Sequence, residues 1–247
     1  MKTLIVIPAR FKSSRFPGKP LAKIKNKEMI IWVAQICKNI IGNSNIIIAT
    51  DDLRIKKVVN NYGFKAIMTS KNCSTGTDRV AEVSKKIKAD IYINVQGDEP
   101  TIKVKDIKKI ISAKIKFPNH VICGYTNLSQ NEKPTDTNIP KVLINSNKDL
   151  IYMSRLPLPG KKNFKKNTKI KYFKQVCIYA FNKDELKKFK NFKKKSVIEI
   201  AEDIEILRFF EINKKIKMIK TTNNSIAVDQ KKDIKKVEKY LKNEKKN

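Results

Sequence analysis

At 247 residues and 40% hydrophobic, the chain has room for one large domain or two small ones with a sizeable core, and no apolar run approaches the roughly 20 residues of a membrane span. The formal net charge of +32 raises a basic nucleic-acid-binding protein as a different-class alternative, yet only six of the 55 basic residues are Arg. Base readout and bidentate phosphate clamping favour Arg over dispersed Lys, so a solvated Lys-rich surface and no nucleic-acid partner are the expectation.

Thr3–Ile7 reads as a buried strand; Met1–Ile7 is too short for a signal peptide and leads straight into a motif, so a cytoplasmic protein is expected. It ends in the loop Pro8–Leu21, which gathers Arg10, Arg15 and Lys19 near small Ala9 and Gly18. Two planar guanidinium forks and one ammonium can neutralise the phosphates of a nucleoside triphosphate. Met29–Ile41 is apolar at helical spacing. Asn45–Thr50 is a strand, and an Asp of Asp51-Asp52 can cap a helix over about Asp52–Tyr62. Phe64–Met68 is a short strand. Thr75-Gly76-Thr77-Asp78 resembles a capping box opening a helix to about Lys88. Its amides suit a base or a phosphate, and a plain helix cap explains it equally well.

Ile91–Val95 is a strand ending in Gln96-Gly97-Asp98-Glu99-Pro100. Mg²⁺ takes one or two hard carboxylate oxygens together with substrate phosphates, and Asp98 is placed to give one. Lys105–Lys116 reads as an amphipathic helix. This alternation predicts an α/β fold, a mostly parallel central sheet with crossover helices. The order then changes. Val121–Tyr125 is a strand, Asn127–Asn138 is polar, and Lys141–Ile144 and Leu150–Ser154 flank a hairpin turn. Pro157–Lys171 is a basic loop and Gln175–Phe181 a further strand. An antiparallel insertion over 127–175 inside a single domain of 1–247 follows. Val197–Phe210 reads as one helix, with Glu199, Glu202, Glu205 and Arg208 along a face: a salt-bridged stripe, or part of a site or subunit interface. Lys215–Lys220 and Ser225–Val228 read as strands, Lys231–Lys242 as a terminal helix, and Lys242–Asn247 as a fraying tail. Asp229, directly after an apolar run, has the character of a second metal carboxylate.

No G-x-G-x-x-G and no P-loop sequence occurs, which argues against a dinucleotide-binding or P-loop enzyme. Four Cys without a C-x-x-C, and His120 as the only His, leave no zinc or redox pair and little room for Ser-His-Asp chemistry.

Ile7-Pro8-Ala9-Arg10, Ser14-Arg15-Phe16-Pro17-Gly18-Lys19-Pro20, Ala49-Thr50-Asp51-Asp52, Gly76-Thr77-Asp78-Arg79, Asn94–Pro100, Tyr152-Met153-Ser154-Arg155, Ile178-Tyr179, Ile204–Arg208 and Val228-Asp229 come in the order found in bacterial 3-deoxy-manno-octulosonate (Kdo) cytidylyltransferases. The chain resembles that family over nearly its whole length. The resemblance implies a glycosyltransferase-A-like nucleotidyltransferase fold and the activation of Kdo with CTP, giving CMP-Kdo and pyrophosphate for lipopolysaccharide synthesis. It implies that Ala9, Arg10, Arg15, Lys19, Thr75 and Gly76 bind the nucleotide and that Asp98 and Asp229 bind Mg²⁺. Arg10, Lys19 and Asp98 would carry catalysis, and Arg79, Gln96, Arg155, Gln175, Tyr179 and Glu205 would face an acidic ulosonic sugar. Arg79 or Arg155 is the expected partner of the sugar carboxylate, and a homodimer is expected. Three places depart from the family pattern: Cys73 and Gln175 stand where the family has His, and Gln230 follows Asp229 where it has Thr. The family His at the Gln175 position contacts the sugar, so the sugar side has drifted, and activation of an amino-Kdo, a sialic acid or a legionaminic-type acid is the alternative.

Overall fold

The computed structural model describes residues 1–13, 15–160, 170–192, 194–222 and 225–243. Ser14 of the first motif, most of the Pro157–Lys171 loop and the last four residues of the expected tail lie outside the described residues. The elements run β1 (Thr3–Ala9), β2 (Lys23–Ile24), β3 (Lys27–Glu28), α1 (Met29–Ile41), β4 (Ile46–Thr50), α2 (Leu53–Asn61), β5 (Lys65–Met68), α3 (Gly76–Lys86), β6 (Ile91–Val95) and α4 (Val104–Lys116). Then follow β7 (Val121–Asn127), β8 (Lys141–Ile144), β9 (Leu150–Ser154), β10 (Phe173–Phe181), α5 (Lys183–Asn191), α6 (Val197–Glu202), α7 (Arg208–Glu211), β11 (Ile216–Lys220) and α8 (Asp233–Asn243).

The main sheet has the order β11-β7-β10-β6-β1-β4-β5, with the β8–β9 hairpin joined to β10. β1 pairs in parallel with both β4 and β6, whereas β10 runs antiparallel to β6 and β7. The α/β class, the mostly parallel sheet and the antiparallel addition are as expected. β4 and β6 are buried at every position, which is why they read as unbroken apolar runs. One face of the sheet packs α1, α2 and α4 through Ile30, Val33, Ile55, Ile107 and Ile110; the other packs α3, α5 and α7 through Val80, Leu186, Phe189 and Phe209. The result is a three-layer sandwich.

Besides the short β2–β3 pair, which was not expected, three elements differ from expectation. Val197–Phe210 is not one helix: Asp203 takes a left-handed conformation (φ 48°), which splits it into α6, a 3-10 turn and α7. Glu199 and Arg208 therefore meet as a buried pair, with Nε to Oε2 at 2.6 Å, while Glu202 turns to the Arg155 backbone and Glu205 to α3. Ser225–Val228 forms no strand, because its N–H groups go to loops: Ile226 N–H to Thr101 Oγ1 and Val228 N–H to the Asp98 carbonyl. Helix α5 was not expected. Its sequence is Lys-rich, but Asn182 and Glu185 form a reciprocal capping box.

Lys114 and Glu185, both fully buried, join α4 to the start of α5; Lys114 Nζ also donates to the Pro118 and His120 carbonyls. Removing one partner strands the other charge. Lys114→Met should destabilise the protein by about 3–5 kcal/mol. Burial already pushes the Glu185 carboxyl above its usual range. In the variant that shift grows, so the folded state binds the proton more tightly than the unfolded state, and stability is regained as pH falls. Urea unfolding at acidic and neutral pH would show a smaller deficit at the acidic end; a deficit independent of pH would contradict this account.

Candidate active site

The connections after β1 and β6 leave in opposite directions: β1 leads to β4 on one side, while the chain after β6 leads to β7 on the other. A crevice opens where such loops part, at the carboxyl ends of adjacent parallel strands. A cleft of about 770 Å³ lies there, lined by Ala9, Arg10, Arg15, Lys19, Thr75, Gly76, Arg79, Gln96, Asp98, Arg155, Gln175, Tyr179, Glu205 and Asp229 among others. The structure thus brings every expected site residue to one cavity.

The loop after β1 is shaped by Gly18, which has φ +69° and closes the turn by donating its N–H to the Phe11 carbonyl at 2.9 Å. A Cβ at Gly18 would stand 3.2 Å from the Phe11 ring, which also packs on the core and carries the Arg54 guanidinium 3.4 Å from its centroid. The turn delivers Lys19 to the floor of the cleft. Its Nζ lies 2.5 Å from Asp98 Oδ2, 3.0 Å from the Val228 carbonyl and 3.9 Å from Asp229 Oδ1. Arg15 reaches Asp229 Oδ1 at 3.5 Å. Two carboxylates from distant parts of the sequence therefore converge on one cation. Hard oxygens in this number suit Mg²⁺, which completes its shell with waters and substrate phosphates. Among the described residues no group of three or more His, Cys, Asp or Glu could hold an ion, so an ion here would rest on this pair and on phosphate. Next to Asp98, Glu99 bonds the Ser225 hydroxyl, and burial raises its carboxyl to about 7.

Helix α3 starts at the opposite wall. Thr75 caps it, accepting from Asp78 N–H at 3.1 Å, and Asp78 accepts from Thr75 N–H at 3.0 Å. Thr77 N–H donates to Glu205 Oε2 at 3.0 Å, so Glu205 joins the cap; burial raises its carboxyl. Gly76 packs against the end of β6: a Cβ there would lie 3.3 Å from Pro8 and 3.4 Å from Gln96 Nε2.

Because β10 is antiparallel to β6 and Ile178 is paired with Val95, the residues before Ile178 extend past the end of β6. Lys174, Gln175, Val176 and Cys177 thereby form the third wall, and a bulge between Val176 and Tyr179 re-aims it. Gln175 Nε2 donates to Tyr179 Oη at 3.0 Å. Desolvation, with the nearby Glu99 carboxylate, raises the Cys177 thiol to about 12. The two Arg expected at the sugar are both engaged. Arg79, 3% exposed, binds Asp51 at 2.8 Å and Thr69 Oγ1 at 2.7 Å. Arg155 donates to the carbonyls of Thr137, Glu202 and Asp203 at 2.9, 2.5 and 3.0 Å. Lys174, paired with Glu132, and Lys195, 3.4 Å from Asp203 Oδ1, also line the cleft and were not anticipated. Their only sequence signal was the polar character of 127–138 and a run of Lys, neither of which marks a site.

The family described as Cytidylyltransferase matches residues 4–216. The 3-deoxy-manno-octulosonate cytidylyltransferase of Escherichia coli is 36% identical over 228 residues, 92% of this chain and 91% of that protein. The Fusobacterium nucleatum protein of the same name is 38% identical over 245 residues, 98% of each chain. The chain belongs to the Kdo cytidylyltransferase family. A solved structure of CMP:2-keto-3-deoxy-manno-octonic acid synthetase in complex with CTP superposes with a TM-score of 0.90 at 36% identity, covering 99% of this chain and 100% of that one. The fold extends further: 4-diphosphocytidyl-2C-methyl-D-erythritol synthase of Anaerococcus prevotii matches with a TM-score of 0.62 at 14% identity.

Gly97 is where this cytidylyltransferase presses the β1 and β6 loops together. A Cβ there would lie 2.9 Å from the Pro8 carbonyl oxygen and 2.9 Å from Ile30 Cδ1. The oxygen belongs to the backbone and cannot rotate away. Gly97→Ala should cost about 1–3 kcal/mol of stability and lower activity by separating Asp98 from Lys19. Thermal unfolding alongside pyrophosphate release tests this; a variant as stable and active as the parent would contradict it.

Proposed function

We propose that the chain transfers CMP from CTP to the anomeric hydroxyl of 3-deoxy-manno-octulosonate and releases pyrophosphate. The observation that carries this reading is the Lys19–Asp98–Asp229 convergence at the mouth of β1 and β6, in a chain of this family. The cleft volume falls within the range of nucleotide and cofactor sites.

In the reaction the sugar hydroxyl attacks the α-phosphorus and the bond to the β-phosphate oxygen breaks. Negative charge grows on the leaving pyrophosphate. Arg10, Arg15 and Lys19 line that part of the cleft and would stabilise it, Arg as a fork and Lys as a point charge. Ala9 leaves room for the phosphates beside the backbone. Thr75 and Gly76, with the free edge of the α3 cap, would hold the cytosine. Asp98 and Asp229 would hold Mg²⁺, which when bound supplies charge neutralisation at the phosphates and a more acidic attacking hydroxyl. Lys19 lies between these carboxylates, so it would exchange an acidic partner for a phosphate as substrate enters.

Gln96, Gln175, Tyr179 and Glu205 would face the sugar. For its carboxylate we favour Arg155 over Arg79, because Arg79 is buried against Asp51. Lipopolysaccharide synthesis in the cytoplasm and a homodimer complete the reading. Exposed Leu156, Val197 and Ile200 offer apolar surface for a second copy to cover.

Pyrophosphate release with each nucleotide and a panel of ulosonic acids tests the proposal. CTP with Kdo should turn over fastest, and Asp98→Ala and Asp229→Ala should each lower kcat by about 10²–10³-fold. Efficient use of UTP or ATP, or near-parental kcat in Asp98→Ala, would overturn the assignment.

The Gln175–Tyr179 bond is the observation that favours a related acid as the second reading. A His in this position could carry charge near neutral pH, whereas Gln offers a neutral donor and acceptor. Gln175→His should shift relative kcat/KM among ulosonic acids and leave KM for CTP nearly unchanged. An equal change for every sugar would remove Gln175 from the sugar contacts.

A further inference from the structure

Asp229 stands in backbone that belongs to no strand or helix. Its position is nevertheless fixed. Val228 is buried, donates its N–H to the Asp98 carbonyl at 2.9 Å and accepts from Lys19 Nζ at 3.0 Å. The third restraint comes from α8. Asp233, 8% exposed, accepts on one oxygen, Oδ2, from the N–H of Gln230 at 2.9 Å and from the N–H of Asp229 itself at 3.2 Å. Its Oδ1 accepts from Lys236 Nζ at 2.8 Å.

The bond to Gln230 closes the turn that leads into the helix, where Asp233 N–H donates back to the Gln230 carbonyl at 2.9 Å. The bond to Asp229 reaches one residue beyond that turn. It ties the amide of the carboxylate-bearing residue to a buried acid one turn away. Helix α8 is itself anchored to the floor of the site. Val237 packs with Val228, Ile24 and Met29, and Phe16 of the phosphate loop lies against the same cluster. Lys25 N–H donates to Glu238 Oε1 at 3.0 Å.

We infer that Asp233 is a positioning residue for the divalent-cation site, and that α8 is the strap through which the C-terminal segment holds Asp229 against Asp98. The inference rests on the proposed reading of Asp98 and Asp229 as the metal pair. Without the Asp233 carboxylate, two charge-assisted hydrogen bonds at 229–230 are lost. Asp229 then has to be ordered each time an ion binds. The nucleotide contacts of the β1 loop and α3 do not pass through Asp233.

The test uses the full chain, Mn²⁺ as the probe, and CTP at one fixed concentration without sugar. Mn²⁺ affinity is read by electron paramagnetic resonance, and the Mg²⁺ concentration for half-maximal turnover is measured separately. Asp233→Ala, which preserves helix propensity, should weaken Mn²⁺ by about tenfold or more, the usual effect of removing a partner that orients a ligand. It should raise the Mg²⁺ requirement in parallel, with kcat at saturating Mg²⁺ largely restored and KM for CTP near the parental value. Asp233→Asn keeps an oxygen where Oδ2 accepts and should bind Mn²⁺ within about threefold of the parent. Should Asp233→Ala fail to fold, Asp233→Ser takes its place, since the shorter hydroxyl does not span to Asp229 N–H. Parental Mn²⁺ affinity in the Ala or Ser variant would overturn the inference. So would a loss in Asp233→Asn equal to that in Asp233→Ala, or a fall in kcat that saturating Mg²⁺ does not relieve. A parent that needs no divalent ion would instead overturn the metal reading on which the inference rests, and the unmodified chain alone would reveal it.

Discussion

The site depends on one ammonium held between two carboxylates. Lys19 reaches Asp98 at 2.5 Å and Asp229 at 3.9 Å, and these residues come from three separate parts of the chain. Attraction of this kind is worth little in bulk water, but it strengthens steeply as solvent is excluded. Lys19 is mostly enclosed, with a side-chain exposure of 16%. Removing a single member would leave like or unpaired charges at close range. The surrounding geometry is arranged to prevent that. Gly18 turns the loop, Gly97 lets the β6 loop press on Pro8, and the Asp98 carbonyl ties down Val228.

That arrangement follows from sheet topology. β1 and β6 are neighbours, and their outgoing connections diverge, so their loops must open a crevice between them. Antiparallel β10 then closes one side, since its first half runs on beyond the end of β6. The end that holds Lys19 and Asp98 thus rests on parallel strands and helix α3, whereas the opposite wall is built from the reversed strand and from the hairpin that joins it. The two ends differ in construction, and so their residues can change independently.

Much of this was legible in the sequence. Ile91–Val95, Lys141–Ile144 and Leu150–Ser154 were read with the bounds they have, because abrupt polar or turn residues end each apolar run. That Arg10, Arg15, Lys19 and Asp98 share one cleft was legible because closely spaced charges directly after a buried strand are rarely neutral surface. What could not be read depended on tertiary contacts. The spacing of Glu199, Glu202 and Glu205 fits one helix, and only the left-handed Asp203 separates them into three different partners. Ser225–Val228 is apolar like a strand, yet its amides are claimed by Thr101 and Asp98. Lys183–Asn191 looks like solvated chain until the reciprocal bonds of Asn182 and Glu185 are seen.

Scarce Arg proved a better guide to structure than to substrate. Arg79, Arg155 and Arg208 each make three or more polar contacts to protein groups: Arg79 to the Asp51–Thr69 corner, Arg155 to three backbone carbonyls, Arg208 to Glu199 and Asp78. A guanidinium is chosen for such places because it stays charged and donates in several directions at fixed angles. Lys cannot reproduce that geometry. In a chain whose basic positions are overwhelmingly Lys, an Arg therefore persists where direction matters as well as charge. Under the proposed reading, Arg10 and Arg15 would answer to a ligand the same demand that Arg79 and Arg208 answer from the fold. Arg155 stands between the two cases: its bonds to Thr137, Glu202 and Asp203 brace the insertion against α6, and its half-buried side chain still borders the cleft. This wall of the cleft is therefore held by a residue that also contacts the cavity, so its side chains cannot change without some change in how the insertion is attached.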